Sequence, residues 1–114
     1  MAEALTNHLG RDNVQALSAG THPLGWIPSA TYHVLDEKGI SLDSHRSKGL
    51  RDVPISDMDV VVEMEAGLVG ALPENFKGRL MAWDIPDPFT EDVEAFRSVR
   101  DLIEEHVKAL LAEL

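Results

Sequence analysis

Three consecutive valines, Val60, Val61 and Val62, constrain the fold of this chain more than any other feature of its sequence. An unbroken run of β-branched residues is typical of a strand that is buried on both faces. The segment 58–64 is therefore predicted to be a strand in a sheet whose two faces are both covered.

Helical and strand-like patterns alternate along the rest of the chain. Apolar residues at three- and four-residue spacing predict helices over 2–9, Ser29–Lys38, 66–72 and 90–114. Strand patterns occur at 14–19 and at the start of 78–88. Because strands that alternate with helices pair through βαβ crossovers, a parallel sheet in one domain over 1–114 is expected.

Glycines and polar residues mark the predicted helix ends. Ser29 and Thr90 are placed where an N-cap is needed, and Gly10 and Gly39 follow the last periodic residues of the first two helices. These positions set the expected helix boundaries.

Composition excludes several classes of function. The chain has no cysteine, which excludes disulfides, thiolate metal sites and a cysteine nucleophile within these residues. Its five histidines show no ligand-like spacing, so neither a metal nor another cofactor is expected.

The net charge of −10, without a basic cluster, argues against nucleic acid or an anionic membrane as a partner. No signal peptide or membrane-length apolar run is visible, so a cytoplasmic location is expected.

Five short motifs occur in a characteristic order: MAEAL, SAGT, SHRSKGL, DVVVEM and PDPF. In this order, over nearly the whole chain, the sequence resembles the low molecular weight protein tyrosine phosphatases and the related arsenate reductases. The resemblance implies a three-layer, flavodoxin-like (phosphotyrosine phosphatase I-like) α/β fold with a parallel sheet of strand order 2-1-3-4.

The resemblance also implies what this chain lacks. Family members begin with a hydrophobic strand and a phosphate-binding loop of the form C-x5-R-[ST], which runs into the phrase PMAEA, and Met1 matches its methionine. We therefore expect the first, central strand, the nucleophilic cysteine and the phosphate-clamping arginine to be absent. A phosphorylated substrate or oxyanion is expected to bind only when that segment is present, so the chain alone is predicted to be inactive.

Four candidate site residues follow from the matching motifs. Asp87 matches the general acid that protonates the leaving group, and Phe89 matches an aromatic residue beside the substrate. Ser18 and His45 match the serine and histidine that brace the phosphate loop. Taken singly, three of them have a simpler interpretation: Asp87 can serve only to set a loop, since Asp-Pro is a common turn opener, Ser18 can be an ordinary turn hydroxyl, and His45 can be a surface histidine.

The sequence does not decide between the phosphatase and the arsenate reductase branch of the family, nor does it explain why the first strand is missing. The segment after the third family strand lacks the two extra cysteines of thioredoxin-coupled arsenate reductases, whereas WDIPDPF and FRSVRDLIEEHV look closer to the reductases. One explanation for the absent first strand and cysteine loop is that the start codon of an enzyme was assigned too far downstream. A genuine non-catalytic paralogue that acts in binding or assembly is the alternative, and an unrelated α/β module is a third.

A missing central strand has a physical consequence. Its expected neighbours, 13–19 and 58–64, would keep unpaired backbone groups, and each such buried group costs about 1–3 kcal/mol. Because a domain is stable by only about 5–15 kcal/mol, the gap has to be closed: either the two neighbouring strands pair directly, or a second copy completes the sheet. Of these, a homodimer is predicted.

Overall fold

The computed structural model describes residues 1–10, 13–20, 27–42, 47–64, 72–88 and 92–114. The helices and strands, in chain order, are α1 (Ala2–Leu9), α2 (Ser29–Asp36), β1 (Val60–Glu63), β2 (Arg79–Ala82) and α3 (Val93–Glu113). Two short 3-10 turns, Leu50–Asp52 and Ile55–Asp57, precede β1. The helix predicted over 66–72 lies almost wholly outside the described residues.

The two strands pair in parallel, as predicted from the alternation of strands and helices. The register runs from Val60 beside Arg79 to Glu63 beside Ala82. The prediction that β1 is buried on both faces overstates its burial, since all four of its residues are only half-buried. Within the described residues β1 has a strand neighbour on one edge only, which leaves part of each residue exposed.

The segment 14–19 is extended, but the prediction that it forms a strand is wrong. Its end makes one isolated parallel bridge, between Gly20 and Gly49. Upstream, the α1 side chain of Asn7 pairs with both backbone groups of Ala16: it donates to the carbonyl oxygen at 3.0 Å and accepts from the N–H at 2.7 Å. A helix side chain therefore takes the place of a neighbouring strand here.

The hydrophobic core lies where α3 packs against α1 and α2. The apolar residues predicted at three- and four-residue steps in α3 are buried from Phe96 to Leu110, whereas the end members Val93 and Leu114 are exposed. Val107 is fully buried, as are Leu5 of α1 and Leu35 of α2. Partly buried side chains of both strands, Val62 and Met81, pack against the same core. The helices thus cover one face of the strand pair.

Two predicted helix starts need correction. Ser29 is the first helical residue of α2, and Pro28 occupies the N-cap. Asp92 caps α3, because its carboxylate accepts from the backbone N–H of Ala95 at 3.0 Å; Thr90 lies outside the described residues. The predicted end of α2 also needs correction, because the helix ends at Asp36 with Glu37 as its C-cap, before the predicted Lys38. Gly39 lies in the turn that follows, and its φ of +72° is the left-handed conformation that favours glycine.

Candidate functional site

Asp87 lies in the loop that follows β2, at the carboxyl edge of the parallel strands. In open α/β sheets this edge is where ligands bind. The residue is exposed and stands between Pro86 and Pro88, whose fixed φ angles restrict the loop backbone. The sequence-based candidate therefore occupies a position from which a carboxyl group can reach a ligand.

The loop is anchored where it leaves the sheet. Trp83 is buried, and its backbone N–H donates to the carbonyl oxygen of Glu63 at 2.9 Å. Its ring stacks on His106 of α3, with centroids 5.1 Å apart and planes inclined by 25°. Ile85 also packs against the core, so Asp87 extends from a fixed base.

Ser18 is exposed and lies at the end of the extended segment, in contact with α1. Its backbone N–H donates to Oε1 of Glu3 at 2.6 Å, and its hydroxyl lies 3.3 Å from the same oxygen. Lys48 Nζ donates to that oxygen at 2.9 Å, in an ion pair whose side chains are 9% and 8% exposed. The structure thus brings Ser18 together with a buried ion pair that the motifs did not predict.

The α-ammonium group of Met1 belongs to the same environment. Burial lowers its pKa below the usual value, an effect that the Glu3 carboxylate opposes and that Lys48 reinforces. Three elements, α1, the segment ending at Gly20 and the stretch around Lys48, therefore converge on one carboxylate.

Two sequence-predicted site residues, His45 and Phe89, lie outside the described residues. The roles that the family resemblance implies for them stay predictions.

Glu63, the last residue of β1, is a feature that the sequence analysis missed. Its Oε2 atom is buried and has no hydrogen-bond partner. Because alternate side chains of a strand point to opposite faces, Glu63 lies on the face opposite Val62 and the helical core. The sequence does contain a signal for this residue, because Glu63 is a charged side chain directly after three valines.

The carboxyl edge is acidic in the part that the structure describes. Glu63 ends β1, and Asp84 and Asp87 follow β2. Carboxylates can exchange protons with a ligand but repel an oxyanion. Among the described residues no group of three or more metal-ligating side chains comes together, and none of their helices is both long and apolar enough to cross a bilayer.

Comparison with known proteins agrees with the architecture. A sequence profile of the low molecular weight phosphotyrosine protein phosphatases matches residues 1–114. A glutaredoxin arsenate reductase from Synechocystis is 28% identical over 115 residues, covering all of this chain and 87% of the relative.

Solved structures show the same likeness. An arsenate reductase in the reduced state has a TM-score of 0.84 at 25% identity, over 99% of this chain and 86% of that one. Vibrio vulnificus Wzb in complex with benzylphosphonate has a TM-score of 0.84 at 26% identity, over 99% and 88% of the two chains. With the flavodoxin-like α/β architecture and the full-length profile match, these likenesses establish that the chain belongs to the low molecular weight phosphotyrosine protein phosphatase family.

Proposed function

We propose that this chain is a phosphatase-family domain that supplies the general-acid loop of Asp87 but does not by itself hydrolyse phosphate monoesters or reduce arsenate. One observation carries the proposal: the 114 residues contain no cysteine. In the family chemistry a cysteine thiolate attacks the phosphorus or arsenic centre, and a loop of backbone N–H groups holds the oxyanion.

The electrostatics of the described edge support the same conclusion. A phosphate or arsenate would approach Glu63, Asp84 and Asp87, all acidic. Lys48, which shares the Glu3 carboxylate oxygen with Ser18, is paired with that carboxylate at 2.9 Å. Asp87 can protonate a leaving oxygen, but a general acid contributes only about 10²–10⁴-fold, and it requires a nucleophile and a bound substrate to act on.

The test is an activity assay on the purified 114-residue chain. We expect no release of p-nitrophenol from p-nitrophenyl phosphate above the level of the Asp87→Asn variant, and no reduction of arsenate with glutaredoxin and glutathione as the electron source. Turnover that disappears in Asp87→Asn would refute the proposal.

The role of Asp87 is tested separately in a chimera that carries the first strand and cysteine loop of a family phosphatase ahead of Met1. Asp87→Asn is expected to lower kcat by about 10²-fold or more. Asp84→Asn, a neighbouring exposed carboxylate in the same loop, is the matched control and should leave kcat within about twofold. Equal effects of the two substitutions on kcat would contradict the assignment of Asp87 as the general acid.

A second candidate is a binding role independent of catalysis. The observation that favours it is the half-exposed strand β1, which ends in a carboxylate oxygen without a partner. A chain that only binds another polypeptide needs no oxyanion site, so millimolar phosphate or vanadate should leave its melting temperature unchanged. A vanadate-specific rise in melting temperature would contradict this candidate.

A further inference from the structure

Two sequence motifs that the proposed function uses only in part meet in the structure. WDIPDPF begins with Trp83 and contains Asp87, and FRSVRDLIEEHV carries His106 as its second-last residue. The rings of Trp83 and His106 stack, with centroids 5.1 Å apart and planes inclined by 25°. The structure therefore connects the loop of the general-acid candidate to a histidine of α3.

The stack has the geometry of a specific aromatic contact. Aromatic pairs prefer offset-stacked or edge-to-face arrangements with centroids about 4.5–7 Å apart, and two nearly parallel rings at 5.1 Å fit the offset-stacked form. Trp83 is buried and His106 is half-buried. An aliphatic side chain of similar size would fill the space beside the indole, but it would not reproduce the contact between two flat rings.

His106 is held on a rigid element. Three residues before it and four residues after it, on the same side of α3, lie Ile103 and Leu110, which are both buried in the core. The next residue, Val107, is fully buried. Because the helix cannot rotate without exposing these side chains, the imidazole is a fixed support for the indole of Trp83.

Trp83 transmits this support to Asp87 over a short and restricted backbone. The Trp83 N–H donates to the carbonyl oxygen of Glu63 at 2.9 Å, and Ile85 packs against the helical core. Prolines on both sides of Asp87 fix two further φ angles. A shift of the Trp83 ring would therefore displace the Asp87 carboxyl group, and a displacement of about 1 Å can cost about 10²-fold in catalysis.

We propose that His106 is a positioning residue for Asp87, which acts through the stacked ring of Trp83 and holds the general-acid loop in one place. The inference rests on the proposed role of Asp87 as the general acid, and it adds the residue that orders the loop. A carboxyl group that is already ordered can protonate a leaving oxygen without further loss of conformational entropy.

The test compares two substitutions of His106 in the isotope-labelled 114-residue chain by nuclear magnetic resonance. His106→Phe keeps a flat ring, whereas His106→Leu keeps apolar volume without one. In the original chain we expect a backbone order parameter of about 0.85 at Asp87, which is typical of rigid backbone, and in His106→Leu a fall to about 0.6 or below. His106→Phe should retain the original value.

Amide exchange of Trp83 gives a second measurement. Its N–H should exchange about two- to tenfold faster in His106→Leu than in the original chain, as for the loss of one aromatic pair. In His106→Phe the rate should stay within about twofold. The amide of Val99, in the buried part of α3, reports global unfolding and corrects for any change in overall stability.

A matched control and a spectroscopic signature complete the design. His8→Leu makes the same substitution at an exposed histidine of α1, and it should change neither the order parameter of Asp87 nor the exchange rate of Trp83. In the original chain the imidazole protons of His106 should resonate upfield of those of His8, because they lie over the face of the indole ring.

Any one of four results would overturn the proposal. These are a mobile Asp87 amide in the original chain, equal loop order in His106→Leu and the original chain, a loss of order in His106→Phe as large as in His106→Leu, and imidazole protons of His106 without an upfield shift. None of these measurements involves turnover, whereas the proposed function is tested by activity, so failure of this inference and failure of the proposed function can be told apart.

Discussion

Arg100 of α3 donates from Nη1 to the backbone carbonyl oxygen of Val34 in the last turn of α2, at 2.8 Å. The same nitrogen lies 2.6 Å from Oε1 of Glu37, and the Arg100 side chain is only 7% exposed. The last carbonyl groups of a helix lack partners within the helix. A buried guanidinium thus satisfies one of them and joins the two helices.

Replacing Arg100 by methionine should be clearly destabilising, because the Val34 carbonyl would be left buried without a donor. We expect the free energy of unfolding in urea to fall by about 1–3 kcal/mol. Arg97→Met is the control: this arginine also bonds Glu37, but its side chain is 30% exposed, so a loss of less than about 1 kcal/mol is expected. Equal losses would mean that the Val34 bond contributes little.

The Glu37 carboxyl group should make stability depend on pH in the acidic range. Hydrogen bonds from Arg97, and then from Arg100, lower its pKa to about 2. Because the folded pKa lies below the unfolded value, the unfolded state binds more protons, and the stabilisation is complete above about pH 4.5 and lost as the pH falls toward about 2.

Glu37→Gln should therefore reduce the decline in unfolding free energy measured between about pH 5 and pH 3. Glu74→Gln, at an exposed carboxylate, should leave the decline as it is in the original chain. A Glu37→Gln profile parallel to the original would contradict the role of this network.

The Lys48–Glu3 ion pair should behave as a buried pair. The side chains of Lys48 and Glu3 are 9% and 8% exposed. Lys48→Met leaves the Glu3 carboxylate buried without its cation and should lower the free energy of unfolding by about 3–5 kcal/mol. Adding Glu3→Gln removes that charge, and the double variant should lose less than the sum of the two single losses. Lys77→Met, at an exposed lysine, should stay within about 0.5 kcal/mol. Strict additivity in thermal unfolding would show that the pair is not coupled.

The elements with long or strong periodicity were predictable from the sequence. The stripe of α3 and the parallel pairing of β1 with β2 are as expected, because burial of apolar residues dominates those segments. The cap of α3 was placed two residues too early, since both Thr90 and Asp92 satisfy the chemistry of an N-cap and only the packed helix distinguishes them.

The site was less predictable, because it depends on partners that are distant in sequence. The motif around Ser18 indicated an important position, but its contact with Glu3 joins residues 15 apart, and the Lys48–Glu3 pair joins residues 45 apart. Nothing in a one-dimensional pattern states which carboxylate is paired and which, like Glu63, is left without a partner.

The same limit explains the error at 14–19, and Asn7 offers a test of the explanation. An alternating pattern identifies an extended backbone, whereas its hydrogen-bond partner is here an amide side chain on α1. Asn7→Ala removes both bonds to Ala16 and should cost about 1–2 kcal/mol, partly offset by the higher helix propensity of alanine. His8→Ala, at an exposed position of α1, controls for propensity.

Hydrogen exchange at the Ala16 amide separates the two bonds. Asn7→Asp keeps an acceptor for this N–H but replaces the donor to the Ala16 carbonyl by a second oxygen, so the amide should stay slow while global stability falls. In Asn7→Ala the amide has no acceptor and should exchange faster, with no change at core amides of α3 such as Val107. If the Ala16 amide exchanged equally in all three chains, the extended segment would have to be held by something other than the α1 side chain.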